Sequence, residues 1–317
     1  MRESLRFSLA SVALGAIAVM ISENLFWIVP PPGWTLLQWV ATWTAYTLAS
    51  ACALALVGLA GVGGMTGAFL GGTVMGFLVE GGIVGTVYDN FPLQVIWPPV
   101  GWHGLLSGAV VLGVGRAGRR LGPWRMAAVW GGLGVFGGIW ALYWPVERPV
   151  LPDTLTLAGY LAGLGLVVPA AHVVLDRIGS VPRPPRWVLL VAPAVVGLAW
   201  GLQGILARNP LWLVLPVILF GLWQVMRKLG SGGPVSFGAP VPVWYHALFM
   251  IAPLVTVLLA EVGWATVGAL PTNWPIALLT GAFVVVWLMR LSWRAWRIGR
   301  AVQASAASAA ARSIAPS

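Results

Sequence analysis

Glu80, Asp89 and His103 bracket the stretch EGGIVGTVYDNFPLQVIWPPVGWH, which interrupts an otherwise apolar chain. Carboxylates and an imidazole are costly in or beside hydrocarbon, so each asks for a reason. A carboxyl held near neutrality passes a proton, binds a cation by losing one, or protonates an alkene or ester. Together the three supply oxygen and nitrogen donors of the kind a divalent cation or a water-activating site uses. They are the expected catalytic residues, and a divalent cation at Glu80, Asp89 and His103 is the cofactor such a set would suit, although the spacing matches no specific metal motif. A plainer role stands beside each. Glu80 reads equally as a structural carboxyl bonded to a neighbouring helix, Asp89 as a loop cap, and His103 as a headgroup-level hydrogen bonder in the first turn of its helix.

Glu23 and Glu261 sit toward the outer ends of two other apolar runs. They either snorkel to the interface or join Glu80 around one outward-opening cavity. Carboxylates grouped in a low dielectric cannot all ionise without a counter-cation, so such a group shares protons or holds a metal or an organic cation. Of the 20 tryptophans, Trp27, Trp97, Trp102 and Trp264 fall on the same side as these acids. Interfacial belts explain most tryptophans in such a chain. Indole faces also attract cations, by up to about 2 kcal/mol when desolvated. With Tyr88, these four and the two glutamates are the expected substrate-binding residues. His172 and His246 fall on the opposite half, each on its own. His172 precedes Asp176 by four residues, and Arg177 beside it suggests a structural ion pair.

The elements that must position these groups follow from composition. The chain is 59% hydrophobic and 8% charged, with a mean hydropathy of +0.89. Soluble domains carry about 25% charged residues, which excludes a water-soluble fold. A spanning helix needs about 20 apolar residues, and runs of that kind fill the chain at 5–29, 35–60, 63–88, 101–118, 124–144, 154–175, 186–206, 210–226, 243–264 and 274–293. The expected fold is an all-α, polytopic bundle of ten spanning helices over residues 1–300, or fewer if 63–100 holds a re-entrant piece. The first run follows Arg2 and Arg6 like a secretory signal, but it is too long and lacks a small-residue cleavage site, so it reads as an uncleaved helix. Residues 229–242 are expected to form a flexible cytoplasmic linker and 301–317 a disordered cytoplasmic tail.

Alternation along these spans puts 16 of the 18 Lys and Arg on the side of both termini, all but Arg148 and Arg208. The positive-inside rule makes that side cytoplasmic, in the cytoplasmic membrane of a prokaryote. Six of the eight acids, all but Glu3 and Asp176, fall on the other side. The net charge of +10 is spread in short clusters between apolar runs, a pattern for anionic lipid rather than nucleic acid. Cys52 is the single cysteine, so no disulfide forms within the chain. Glycines four residues apart, at Gly63, Gly67 and Gly71 and at Gly72 and Gly76, mark a helix that packs closely against a neighbour. No HExxH, CxxC, GxSxG, phosphate-cradling loop or Asp-rich prenyl-diphosphate motif is present.

The layout is similar in topology to small drug/metabolite exporters, without their sequence motifs. The expected function is a transporter or permease handling a proton, cation or small organic substrate. Two alternatives are a membrane-embedded enzyme acting on a lipid-soluble or lipid-linked substrate at the outer leaflet, and a non-catalytic subunit of a membrane complex. The expected partners are the bilayer and a small molecule, ion or lipid.

Overall fold

The structure is a computed structural model that describes residues 2–27, 29–30, 33–117, 120–148 and 150–314, with side chains as far as Ser305. Arg119, one of the expected inner cations, and the last three residues of the expected tail lie outside the described residues. The described residues form helices and no strand. Ten of them are long and apolar enough to cross a membrane: α1 Glu3–Asn24, α2 Leu36–Ala60, α3 Gly64–Val84, α4 Leu93–Val114, α5 Gly122–Glu147, α6 Thr154–Ile178, α7 Arg186–Ala207, α8 Pro210–Leu229, α9 Val243–Thr266 and α10 Asn273–Ser305. Residues 63–100 therefore hold one helix of spanning length, α3, and the start of a second, α4.

Local chemistry fixes the boundaries. Thr35 caps α2 in a reciprocal box: its side chain accepts from Gln38 N at 3.4 Å, and Gln38 Oε1 accepts from Thr35 N at 2.7 Å. Asp153 caps α6 by accepting from Thr156 N at 2.9 Å, and the bonds from Thr156 hold its exposed carboxyl below the usual range. Gly85 ends α3 at φ +92°, its N–H donating to Glu80 O at 2.9 Å, a left-handed conformation that favours glycine. The helix α4 starts at Leu93 rather than near 101 and runs straight through Pro98 and Pro99. Both prolines fall at the second and third positions of the stretch Trp97–Val114, and since proline has no N–H the helix forgoes those two ladder bonds.

The helices alternate between two faces. One face carries the start of α1 and the ends of α2, α4, α6 and α8, where the basic residues collect. The other carries the acid-rich loops. The tightest helix pair is α3 against α4. A Cβ on Gly72 would lie 2.7 Å from His103 O, and one on Gly76 would lie 2.6 Å from Pro99 O. The pair α5 and α9 repeats the device, with Gly134 against Ala252 O and Gly138 against Leu259. Gly131 and Gly132, by contrast, face open space.

The connection after α8 is hydrogen-bonded to the loops that follow α2 and α6. Val181 N donates to Val235 O at 2.8 Å, Phe237 N to Gly179 O at 2.9 Å, and Ser231 N to Gly61 O at 3.1 Å. Its Gly and Pro residues serve fixed turns, so a composition that suggests a loose chain here builds a tether. The last helix also runs on to Ile314, into the segment expected to be disordered, because that stretch is rich in alanine, the strongest helix former.

A side chain at the α3–α4 crossing must push two backbones apart, and overpacking of this kind costs about 1–3 kcal/mol. Gly76→Val should lower the apparent Tm of the detergent-purified protein by several degrees. Gly132→Ala, which adds a methyl to open space, should leave it unchanged. Equal Tm values for the two variants would contradict the packing.

Candidate functional site

Three stretches of helix depart from the α pattern, and each carries a polar group of the deep bundle. The backbone bonds Leu25 N to Met20 O at 2.9 Å, Gly85 N to Glu80 O at 2.9 Å and Gly115 N to Val110 O at 3.1 Å skip five residues instead of four. The widened π-turns span Met20–Asn24, Leu78–Val84 and Trp97–Val114. Such turns reorient side chains and are frequent at functional sites. Here they carry Ser22 and Glu23, then Glu80, then His103 and Ser107.

His103 is at the centre. Its ring is fully buried, with its helix two and a half turns old, not at headgroup level as its sequence position suggested. Nε2 meets Glu80 Oε1 at 2.9 Å, and Nδ1 meets Ser22 Oγ at 2.8 Å. Ser22 Oγ also lies 3.1 Å from Ser107 Oγ. On the far side, Thr86 Oγ1 donates to Glu80 Oε2. The order is therefore Ser107, Ser22, His103, Glu80, Thr86, hydrogen-bonded throughout. Trp102 Nε1 fixes the turn by donating to Ser22 O at 2.9 Å. Its ring is packed by Phe26 at 4.3 Å, Trp140 at 4.9 Å and Trp97 at 5.3 Å. Glu23 lies alongside: it accepts from the buried Tyr46 hydroxyl. Tyr46 packs its ring 5.7 Å from that of His103. The neighbouring Asn24 accepts from Tyr160 at 3.2 Å. One polar run, Ser22, Glu23 and Asn24, thus serves three neighbours.

The remaining expected residues separate from this group. Asp89 is exposed in the turn after α3. Tyr88 turns away, donating to Gly81 O at 3.0 Å and stacking on Trp212 at 4.2 Å, and burial raises its hydroxyl above the ordinary phenol range. Trp27 stacks edge-on with Trp34 at 5.1 Å. Glu261 and Trp264 lie on α9 against α5, where Trp264 Nε1 donates to Ala141 O at 2.9 Å. With Asp89 apart, the expected divalent-cation set does not assemble. Among the described residues no three His, Cys, Asp or Glu side chains come together to hold a metal ion.

A cavity of about 700 Å³ runs between α1, α2, α3 and α4. It lies at the basic face, opposite the acid-rich side where the sequence placed an opening. Its mouth is framed by Arg116, Arg120 and the pinned segment 234–241, and its deep wall includes Ser50, Met75 and Ser107. Gly63, Gly67, Gly71 and Gly72 line it. Ser107 belongs to both features: it lines the cavity and begins the hydrogen-bonded chain to Glu80.

A second polar cluster fastens the mouth. Arg116 Nη2 pairs with Asp176 Oδ1 at 2.5 Å, Nη1 donates to His172 O at 3.2 Å, and Nε donates to Phe237 O. Asp176 Oδ2 accepts from Val241 N at 3.2 Å and meets His246 Nε2 at 2.7 Å. The His172 and His246 rings stack at 5.2 Å. The two histidines are therefore partners, and Asp176 pairs with Arg116 and His246 instead of Arg177. Burial draws the Arg116 guanidinium below its ordinary range while Asp176 opposes this, and guanidinium stays charged at neutral pH.

Sequence reasoning missed Ser22, Tyr46, Thr86 and Ser107. The signals were faint: Ser107 stands four residues after His103, which puts both on one helix face, and Ser22 opens a polar triplet in an apolar helix. Arg116 and His246 are brought to Asp176 only by tertiary folding.

No known protein family, curated protein or solved structure matches the chain.

Removing one partner from a buried ion pair leaves a stranded charge and costs about 3–5 kcal/mol. Arg116→Met should therefore destabilise the protein by about that much in reversible unfolding from mixed micelles. Arg116→Met combined with Asp176→Asn should recover part of the loss. Strictly additive effects would contradict the pairing.

Proposed function

We propose that the chain is a multi-pass membrane transporter that couples movement of a small molecule to protons through Glu80 and His103. The observation that carries this reading is the hydrogen-bonded order Ser107, Ser22, His103, Glu80, which begins on the cavity wall and ends in a carboxyl. Glu80 lies sixteen residues beyond Gly64, the basic-face end of α3, or about 24 Å at 1.5 Å per residue. Cavity and chain together therefore cross most of an approximately 30 Å hydrocarbon layer. The collection of Lys and Arg on the cavity's side makes that side cytoplasmic, with both termini inside a cell's cytoplasmic membrane.

In this reading the cavity is open to the cytoplasm. A proton arriving at Ser107 moves to Ser22 Oγ as Ser22 gives its own proton to His103 Nδ1. The imidazolium then releases its Nε2 proton to Glu80 Oε1 and is neutral again. Glu23, held by Tyr46, sets the cost of ionising Glu80, because two carboxylates and one imidazole in low dielectric cannot all hold charge independently. Substrate in the cavity touches Ser107 and so biases the relay. Closing of the α1–α4 walls around substrate would pass it toward the acid-rich face.

A second reading draws on the same atoms. A hydroxyl, an imidazole and a carboxylate in hydrogen-bonded order are also the parts of a nucleophilic hydrolase, with Ser22 as nucleophile, His103 as base and Glu80 as orienting acid. It is the weaker reading because Ser107 stands between Ser22 and the cavity.

The test uses inside-out liposomes carrying a trapped pH dye, screened with small organic solutes under an imposed pH gradient. A transported solute should dissipate the gradient with wild-type protein. Glu80→Gln should reduce coupled proton movement at least tenfold. Equal dissipation by the two proteins, or solute turnover in detergent with covalent fluorophosphonate labelling of Ser22, would overturn the transport reading.

A further inference from the structure

The cavity has a charge pattern that the polar relay does not require. Arg116 and Arg120 are the ionisable side chains on its lining, and among the described residues no carboxylate lines it. Arg116 is neutralised from behind by Asp176, whereas Arg120 is exposed at the mouth, so the entrance carries an excess positive charge. Inward, the wall turns apolar, with Leu14, Ile17, Leu54 and Val57. The hydroxyl of Ser50 there is spent on the Met75 sulfur at 3.3 Å, a weak acceptor. The volume of about 700 Å³ falls in the roughly 300–1,000 Å³ range of small-molecule sites.

From this pattern we infer that the cavity binds an amphipathic organic monoanion, its apolar body along the α1–α3 wall and its anionic group at Arg120. The inference rests on the transport reading only in taking the cavity as the substrate's route. An organic cation would meet guanidinium and no carboxylate. A wholly apolar molecule would draw nothing from the mouth. The acids that suggested a cationic substrate belong to the relay and to the opposite face, behind the cavity wall.

The probe is radiolabelled dodecanoate, with dodecylammonium and dodecanol as chemical controls, added to the protein in phosphatidylcholine nanodiscs and corrected for uptake by empty discs. Dodecanoate should bind saturably and be displaced by dodecyl sulfate, but not by dodecylammonium. Arg120→Glu, at an exposed position, should weaken dodecanoate roughly tenfold and leave dodecanol unaffected. Displacement by added phosphatidylglycerol would assign the anion to the bilayer, and no displacement would assign it to solution; either result keeps the class. Dodecylammonium binding as tightly as dodecanoate, or an unchanged affinity in Arg120→Glu, would overturn the inference. Glu80→Gln should bind dodecanoate normally because Glu80 does not line the cavity. Binding without coupled flux would therefore remove the transport reading alone. Glu80-dependent flux of another solute that dodecanoate does not compete with would remove this inference alone.

Discussion

Glu80 reaches His103 because α3 and α4 meet backbone to backbone. With Gly72 and Gly76 on one helix and Gly104 and Gly108 on the other, no Cβ holds the two axes apart. In a bilayer, close packing of this kind supplies association energy that water exclusion supplies elsewhere. It also brings two ionisable groups together in a medium where neither would stay charged alone. The 2.9 Å contact between them needs both the crossing and the widened turns on either side, which rotate Glu80 and His103 inward. The crossing therefore precedes the chemistry.

The same helix solves two problems with one residue type. Along α3, Gly72 and Gly76 meet α4, Gly67 and Gly71 lie close against Val62 and Val57, and Gly63, Gly67, Gly71 and Gly72 border the cavity. At the basic face the pinned segment 234–241 and the Arg116, Asp176 and His246 cluster give the cavity a fixed rim. The rim and the polar chain are both hydrogen-bonded, and Ser107 is the residue common to the cavity and the chain.

Much of this was readable in the residues, and the limits have physical causes. Ten apolar runs gave ten helices because each must satisfy its own backbone in hydrocarbon. Glu80 and His103 stood out because ionisable groups are rare in such runs. Their neighbours did not, because a buried serine or tyrosine is as common in packing as in chemistry, and only the fold brings Ser22 to a histidine 81 positions away. Asp89 stands exposed and apart from that group, because a carboxylate beside an aromatic turn satisfies sequence logic equally whether it points in or out. Grouping the acids by side of the membrane gave a face and not a site. The span expected from 101 starts at Leu93 and carries Pro98 and Pro99, although proline lacks the N–H of the ladder and normally ends helices.

The account depends on His103 being bonded at both ring nitrogens, to Glu80 on one side and Ser22 on the other. Histidine-selective ¹⁵N labelling of the lipid-reconstituted protein tests that directly, since the chain has only 3 histidines to assign. The account predicts that Glu80→Gln moves the Nε2 resonance of His103, that Ser22→Ala moves its Nδ1 resonance, and that His172 and His246 hold still in both variants. His103 resonances indifferent to both substitutions would contradict it.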